Sequence, residues 1–222
     1  MWRPESICLA AADALSARAR DLDEEQSTAG LDALDEVALH AVLARGFVDA
    51  GLTPAPEQRY PGRRARARRS EGERCDLVLL PDGADHLTDP LAADTLFGDR
   101  GADPADAFWL EVKAAHQYAV IGDAAAGPNP GYSGQLLSAA TADLRKIAGD
   151  PAIRFGGLLL VLFTADEPTA GHDLGVWLSR CLDRGLPIGA PAVEGFDITD
   201  RIGNTRCTVA LTPVRSTRDH AE

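Results

Sequence analysis

Residues 108–118 read FWLEVKAAHQY, and this run decides the fold. It is predicted to be a strand, apolar except for two charges near its middle. Strand side chains alternate between faces, so Glu111 and Lys113 point the same way, with Ala115 and Gln117. Val112 points to the opposite face, as does His116, which reads as structural or exposed.

Working outward, residues 74–80 (RCDLVLL) predict a second strand, closed by Pro81-Asp82-Gly83. Asp76 lies near the start of that apolar run, where a charge is costly to bury without a partner. Residues 82–107 are acidic and rich in Gly and Pro, and read as an inserted loop. Residues 53–62 hold three prolines and read as an extended lead-in to a sheet. Residues 63–69 alternate loosely between Arg and Ala, and 70–73 form a turn, which suggests a hairpin with one basic and one buried strand. A helix is predicted over 31–50, its core face carrying Leu34, Val37, Ala41, Ala44 and Val48, with Gly51 as the stop signal. An alanine-rich helix (1–20) and an acidic linker (21–30) precede it.

Downstream, 122–131 reads as a loop and 133–148 as a helix with the stripe Leu137, Ala140, Leu144 and Ile147. Residues 154–164 read as a fully buried strand, and 173–184 as an amphipathic helix. A closing hairpin spans 196–214, turning at Gly203-Asn204. Helix, three strands, helix, strand, then helix and hairpin predicts an α/β fold with a mixed sheet flanked by helices. One domain, 1–222, is expected: a core at about 31–164, an N-terminal helical extension (1–30) and a C-terminal helix plus hairpin (165–222).

The chain has 222 residues, 45% of them hydrophobic, enough for a full core. No run approaches the ~18 apolar residues of a membrane span, and Asp13, Arg18, Arg20 and Asp21 interrupt the N-terminal stretch, unlike a secretory signal. Cys8, Cys75, Cys181 and Cys207 stand far apart, without C-x-x-C spacing, and read as free thiols of a cytoplasmic protein. The net charge of −12 argues against a nucleic-acid partner until its distribution is read. Residues 59–74 hold seven arginines against Glu71 and Glu73, whereas 21–36 and 82–106 hold seven acids each. A basic strip on an acidic body allows local phosphate binding.

The chemistry follows from the two strands. Carboxylates on neighbouring strands can hold a hard divalent cation through oxygen, with the Val112 carbonyl completing the set. Lys113 would stand beside it, orienting or helping to deprotonate water and offsetting phosphorane charge. Lysine usage sharpens this reading: the chain has 20 arginines and only two lysines, Lys113 and Lys146. Glu36, on the preceding helix, offers a further carboxylate. Plainer readings stand beside these: a solvated Glu111–Lys113 pair, Asp76 capping a turn or pairing with Arg64 or Arg74, Glu36 on a solvated acidic face, and arginines guarding a sheet edge.

The run Glu36, Asp76, Glu111-Val112-Lys113 resembles the PD-(D/E)XK, or restriction-endonuclease-like, nuclease superfamily. The resemblance covers about 31–164 and implies an αβββαβ core. Leu34-Asp35-Glu36-Val37 is similar to the helix with the auxiliary glutamate. Cys75-Asp76-Leu77-Val78-Leu79 is similar to the metal-binding strand, and Trp109-Leu110-Glu111-Val112-Lys113 to the E-x-K strand. Tyr132-Ser133-Gly134-Gln135-Leu136 and Asp143-Leu144-Arg145-Lys146-Ile147 resemble the following helix, which brings Gln or Lys toward phosphate. Gln135 and Lys146, about three turns apart, would share a face. Pro81-Asp82 is an alternative for the family's "PD", less well placed than Asp76. The resemblance implies Mg²⁺ or Mn²⁺ on Asp76, Glu111 and the Val112 carbonyl, with Glu36 acting directly or through water. Asp76, Glu111, Lys113 and Glu36 would be catalytic.

The expected partner is DNA, held by Arg63, Arg64, Arg66, Arg68, Arg69, Gln117, Gln135 and Lys146, with little sequence readout. The alternative is a weakly active or inactive DNA-binding or assembly subunit, using acidic segments 21–36 and 82–106 as partner surfaces. A homodimer is compatible with either reading. A nucleotide-binding reading lacks G-x-G-x-x-G and Walker patterns.

Overall fold

The computed structural model describes residues 1–62, 73–88, 101–120 and 126–215. Among the described residues, five α-helical segments, α1 (Pro4–Glu24), α2 (Glu36–Asp49), α3 (Tyr132–Gly134), α4 (Ala140–Ala148) and α5 (Glu167–Asp183), accompany eight strands. The strands are β1 (Thr53–Arg59), β2 (Arg74–Leu80), β3 (Phe108–His116), β4 (Tyr118–Val120), β5 (Ala126–Pro128), β6 (Phe155–Thr164), β7 (Ala192–Asp197) and β8 (Arg206–Val214).

Six strands form one mixed sheet in the order β1-β2-β3-β6-β8-β7. Only β3 and β6 run parallel, because helical structure carries the chain between them; the other neighbours are antiparallel. Alternation along the strands sorts the core into two faces. Leu110, Val112, Leu159 and Val161 pack under Leu39, Leu43 and Phe47 of α2 and the buried face of α1. Leu158, Leu160 and Leu162 pack under Leu144 of α4 and Leu174 and Trp177 of α5. β6 is covered on both sides, which is why it reads as a continuous apolar run. All four cysteines are buried and free. No helix among the described residues is long and apolar enough to cross a membrane.

Several expectations are corrected. The core face of α2 is Leu39, Leu43 and Phe47, whereas Val37 and Val48 are 76% and 55% exposed. The helix is apolar on more than one side, and α1 decides which side is buried. The two helices meet so closely that a Cβ on Gly46 would lie 2.1 Å from the Ala14 Cβ. The partner of β2 is β1, from Thr53↔Leu80 to Arg59↔Arg74; the arginine-rich stretch 63–69, expected as the basic strand, lies outside the described residues. The segment after β3 forms a small hairpin, β4–β5, where a loop was expected. The helix predicted over 133–148 is continuous but non-uniform, with a π-helical stretch at Gln135–Ala139 between α3 and α4. α5 begins at Glu167 rather than 173, because Asp166 caps it by accepting from Thr169 N (2.8 Å) and Pro168 sits in the first turn.

Candidate active site

β3 pairs with β6 along its whole length, from Phe108↔Phe155 to His116↔Phe163. Its pairing with β2 runs only from Leu79↔Phe108 to Leu77↔Leu110 and then stops. The Val112 N–H, left without a strand partner there, donates to Asp76 Oδ2 at 2.8 Å. A side-chain carboxylate thus replaces a ladder carbonyl, which meets the requirement of a buried N–H. β1 is also distorted here. Its register with β2 skips the Glu57–Asp76 position, and Glu57 has φ +56, the left-handed region that non-glycine residues seldom occupy. Strain of this kind gathers at functional sites.

Glu111 is 2% exposed. Its Oε1 accepts from the hydroxyl of Tyr60, which is itself buried and stacks on Trp109 (centroids 6.0 Å apart). Burial, then the neighbouring Asp76 charge, push Glu111 up to about 8, against the opposing pull of Tyr60 and Lys146. Burial, followed by the charges of Cys75 and Glu111, raises the Tyr60 hydroxyl far above its ordinary range, so it remains the donor.

Lys113 forms an ion pair with Glu36 and lies 3.6 Å from Asp143 Oδ2. Glu36 belongs to α2 and Asp143 to α4, on opposite faces of the sheet; Lys113 joins them at the parting of β2 and β3. Burial pulls Lys113 down, but Glu36, Asp143 and Asp76 outweigh it and leave Lys113 above its ordinary value. Lys146 donates to Asp143 Oδ1 at 2.6 Å. Burial opposes its charge too, and Asp143, Glu111 and Asp76 again raise it.

The acidic run before α2 divides into three functions. Asp32 is buried and accepts from Asn204 Nδ2 (2.9 Å). Asp35 caps α2 through Ala38 N (2.8 Å), and Glu36 reaches Lys113. Asp23 pairs with Arg201 at 2.6 Å, so much of 21–36 is bound to its own fold. Of segment 82–106, residues 89–100 lie outside the described residues.

The structure therefore brings together Glu36, Asp76, Glu111, Lys113 and Lys146. It does not bring Gln117 and Gln135 to them. Gln117 Oε1 accepts from Ala165 N (2.8 Å), and Gln135 Oε1 accepts from His116 N and Asn129 Nδ2 (both 3.2 Å). The π-helical stretch breaks the even phase assumed between Gln135 and Lys146. His116 stacks on Phe163 on the other face. Arg63, Arg64, Arg66, Arg68 and Arg69 lie outside the described residues.

Four residues of the site escaped sequence reasoning: Tyr60, Asp143, His40 and Glu57. His40 could have been found one helical turn after Glu36, and Asp143 three residues before Lys146, both spacings that share a helix face. Tyr60 and Glu57 carry no such signal. The ligating atoms of His40, Glu57 and Asp76 all lie within 4.8 Å of one another. His40 Nε2 is buried without a hydrogen-bond partner, 3.9 Å from Asp76 Oδ2.

No family model matches this chain, nor does any curated protein or solved structure. The functional reading therefore rests on the residues themselves.

Proposed function

We propose that the chain is a metal-dependent nuclease of the PD-(D/E)XK type, hydrolysing phosphodiester bonds of DNA, with α2, β1–β3, the helical stretch 132–148 and β6 as a restriction-endonuclease-like core. The observation that carries this reading is the meeting of Asp76, Glu111 and Lys113, with Glu36, where β2 and β3 part. A Mg²⁺ or Mn²⁺ ion fits the donor set. A buried carboxylate crowded by a second one is relieved by a dication, and the unpartnered His40 nitrogen adds a donor beside Asp76. Asp76 and Glu111 would hold the ion, with the Val112 carbonyl. When bound, it supplies Lewis acidity toward a phosphoryl oxygen.

The remaining roles belong to the chain. Asp76 is held in place by the Val112 N–H and Glu111 by Tyr60. Lys113, paired with Glu36 and facing Asp143, is placed to orient water and to offset charge developing on phosphorus. Glu36 fixes the Lys113 ammonium. DNA contact is supported by where the basic strip begins. Asp150 accepts from Gly62 N at 3.0–3.1 Å, two residues after Tyr60. In sequence, the arginines of 63–69 begin three residues after Tyr60, which touches Glu111. Buried free thiols suit a reducing cytoplasm.

Supercoiled plasmid with Mg²⁺ or Mn²⁺ tests the reading. Wild-type protein is expected to cut, and Lys113→Ala to lose about 100-fold or more of the rate. Cutting that survives both EDTA and Lys113→Ala would remove the claim. DNA retention without cutting would favour a binding subunit.

A further inference from the structure

The chain uses arginine 20 times and lysine twice, and both lysines meet at one carboxylate. Asp143 Oδ1 lies 2.6 Å from Lys146 Nζ, and Asp143 Oδ2 lies 3.6 Å from Lys113 Nζ. We propose that Asp143 is a positioning residue that gathers the two lysines into a paired-ammonium seat for a phosphate group of the substrate. The proposal rests on the nuclease reading above.

Asp143 is 8% exposed, on the side of α4 that also buries Ala140, Leu144 and Ile147. An apolar residue would fill that place at less cost than a charge. A carboxylate there faces two cations from different elements, one on α4 and one on β3. The lysine side chains keep 33% and 20% exposure. An ammonium has three donors; Lys146 places one on Asp143, and Lys113 places one on Glu36. Compact ammonium charges suit phosphate oxygens. Opposite them stand Asp76 and Glu111, which repel a phosphate until a cation neutralises them. The lysine pair thus defines the side from which a phosphate group enters.

With only two lysines, selective labelling at lysine Cε and Nζ of the full chain gives two side-chain signals. The charges facing Lys113 are Glu36 from α2, Asp76 from β2 and Asp143 from α4; those facing Lys146 are Asp143, Glu111 and Asp76. A short deoxyoligonucleotide added with Ca²⁺, which carboxylates bind through oxygen, should shift both wild-type signals together. Asp143→Asn should move both lysine signals at a fixed pH and weaken oligonucleotide binding about tenfold, and Asp143→Glu should restore both. In Mn²⁺, Asp143→Asn should lower kcat about ten- to a hundredfold while leaving the Mn²⁺ activation midpoint within about twofold.

Lysine signals and binding unchanged in Asp143→Asn would overturn the proposal, as would wild-type signals that ignore the oligonucleotide. Should Asp143→Asn fail to fold, Lys146→Gln decides. Asp143 then faces Lys113 alone, whose signal should move at a fixed pH while oligonucleotide binding weakens; an unmoved Lys113 would overturn the seat. Wild-type protein that cuts no DNA would remove the nuclease reading, while the lysine signals would still judge the seat.

Discussion

The two seams of β3 are built in opposite ways. Toward β6 it pairs for nine residues, with apolar side chains packed on both faces. Toward β2 it pairs for three, and the carboxylates of Asp76 and Glu111 gather where pairing ends. The first seam supplies stability and the second forgoes ladder hydrogen bonds to open a polar cleft. A rigid strand with one unzipped edge can hold charged groups in place, because their backbone is fixed from the other side.

The largest expected effect tests the closed seam. A Cβ on Gly156 would lie 2.8 Å from the carbonyl oxygen of Trp109, its partner on β3, a backbone atom that cannot step aside. Gly156→Val should lose about 3 kcal/mol or more in urea unfolding. A loss under about 1 kcal/mol would mean that this side of the sheet yields, and the contrast between seams would fail.

An intermediate effect is expected at the open seam. Asp76→Ala leaves the Val112 N–H without its acceptor and should cost about 1–3 kcal/mol. Asp76→Asn keeps an acceptor oxygen and should cost less, yet both variants should lose any rise in Tm on adding Mn²⁺. Equal stability of the two variants would show that the hydrogen bond does not stitch the seam.

The last effect is a slope. Glu111 is raised from 4.5 to about 8 in the fold. The protonated form is therefore the one the fold favours. Its contribution is complete below the unfolded value and is lost as pH rises through the folded one. In EDTA, wild-type stability should fall between these limits. Glu111→Gln should flatten that fall, and Mn²⁺ should offset it in the wild type. Parallel wild-type and Glu111→Gln profiles would place the burden on another group.

Much of this contrast was legible in the sequence. Alternation marked Glu111 and Lys113 as neighbours on one face, and a charge inside RCDLVLL marked Asp76. The unbroken apolar run of β6 announced a doubly covered strand. What was illegible depended on partners distant in sequence. Helix α2 offers apolar residues on several sides, and only the close approach of α1 at Gly46 selects Leu39, Leu43 and Phe47. Asp32, Asp35 and Glu36 look alike in a row, yet Asn204, Ala38 and Lys113 give them separate tasks. Tyr60 reaches Glu111 across 51 residues, a distance no local pattern encodes. Gln117 fits the strand phase, but the chain turns after His116 and a backbone amide takes its side chain.

The placement of both lysines beside the acids also has a practical side. Reagents that acylate primary amines find, apart from the α-amino group, only this cleft to attack. Amine coupling to a sensor chip would tether the protein by the groups meant to receive its ligand. Attachment through an exposed carboxylate such as Asp197 of β7, at the far edge of the sheet, would leave that mouth open.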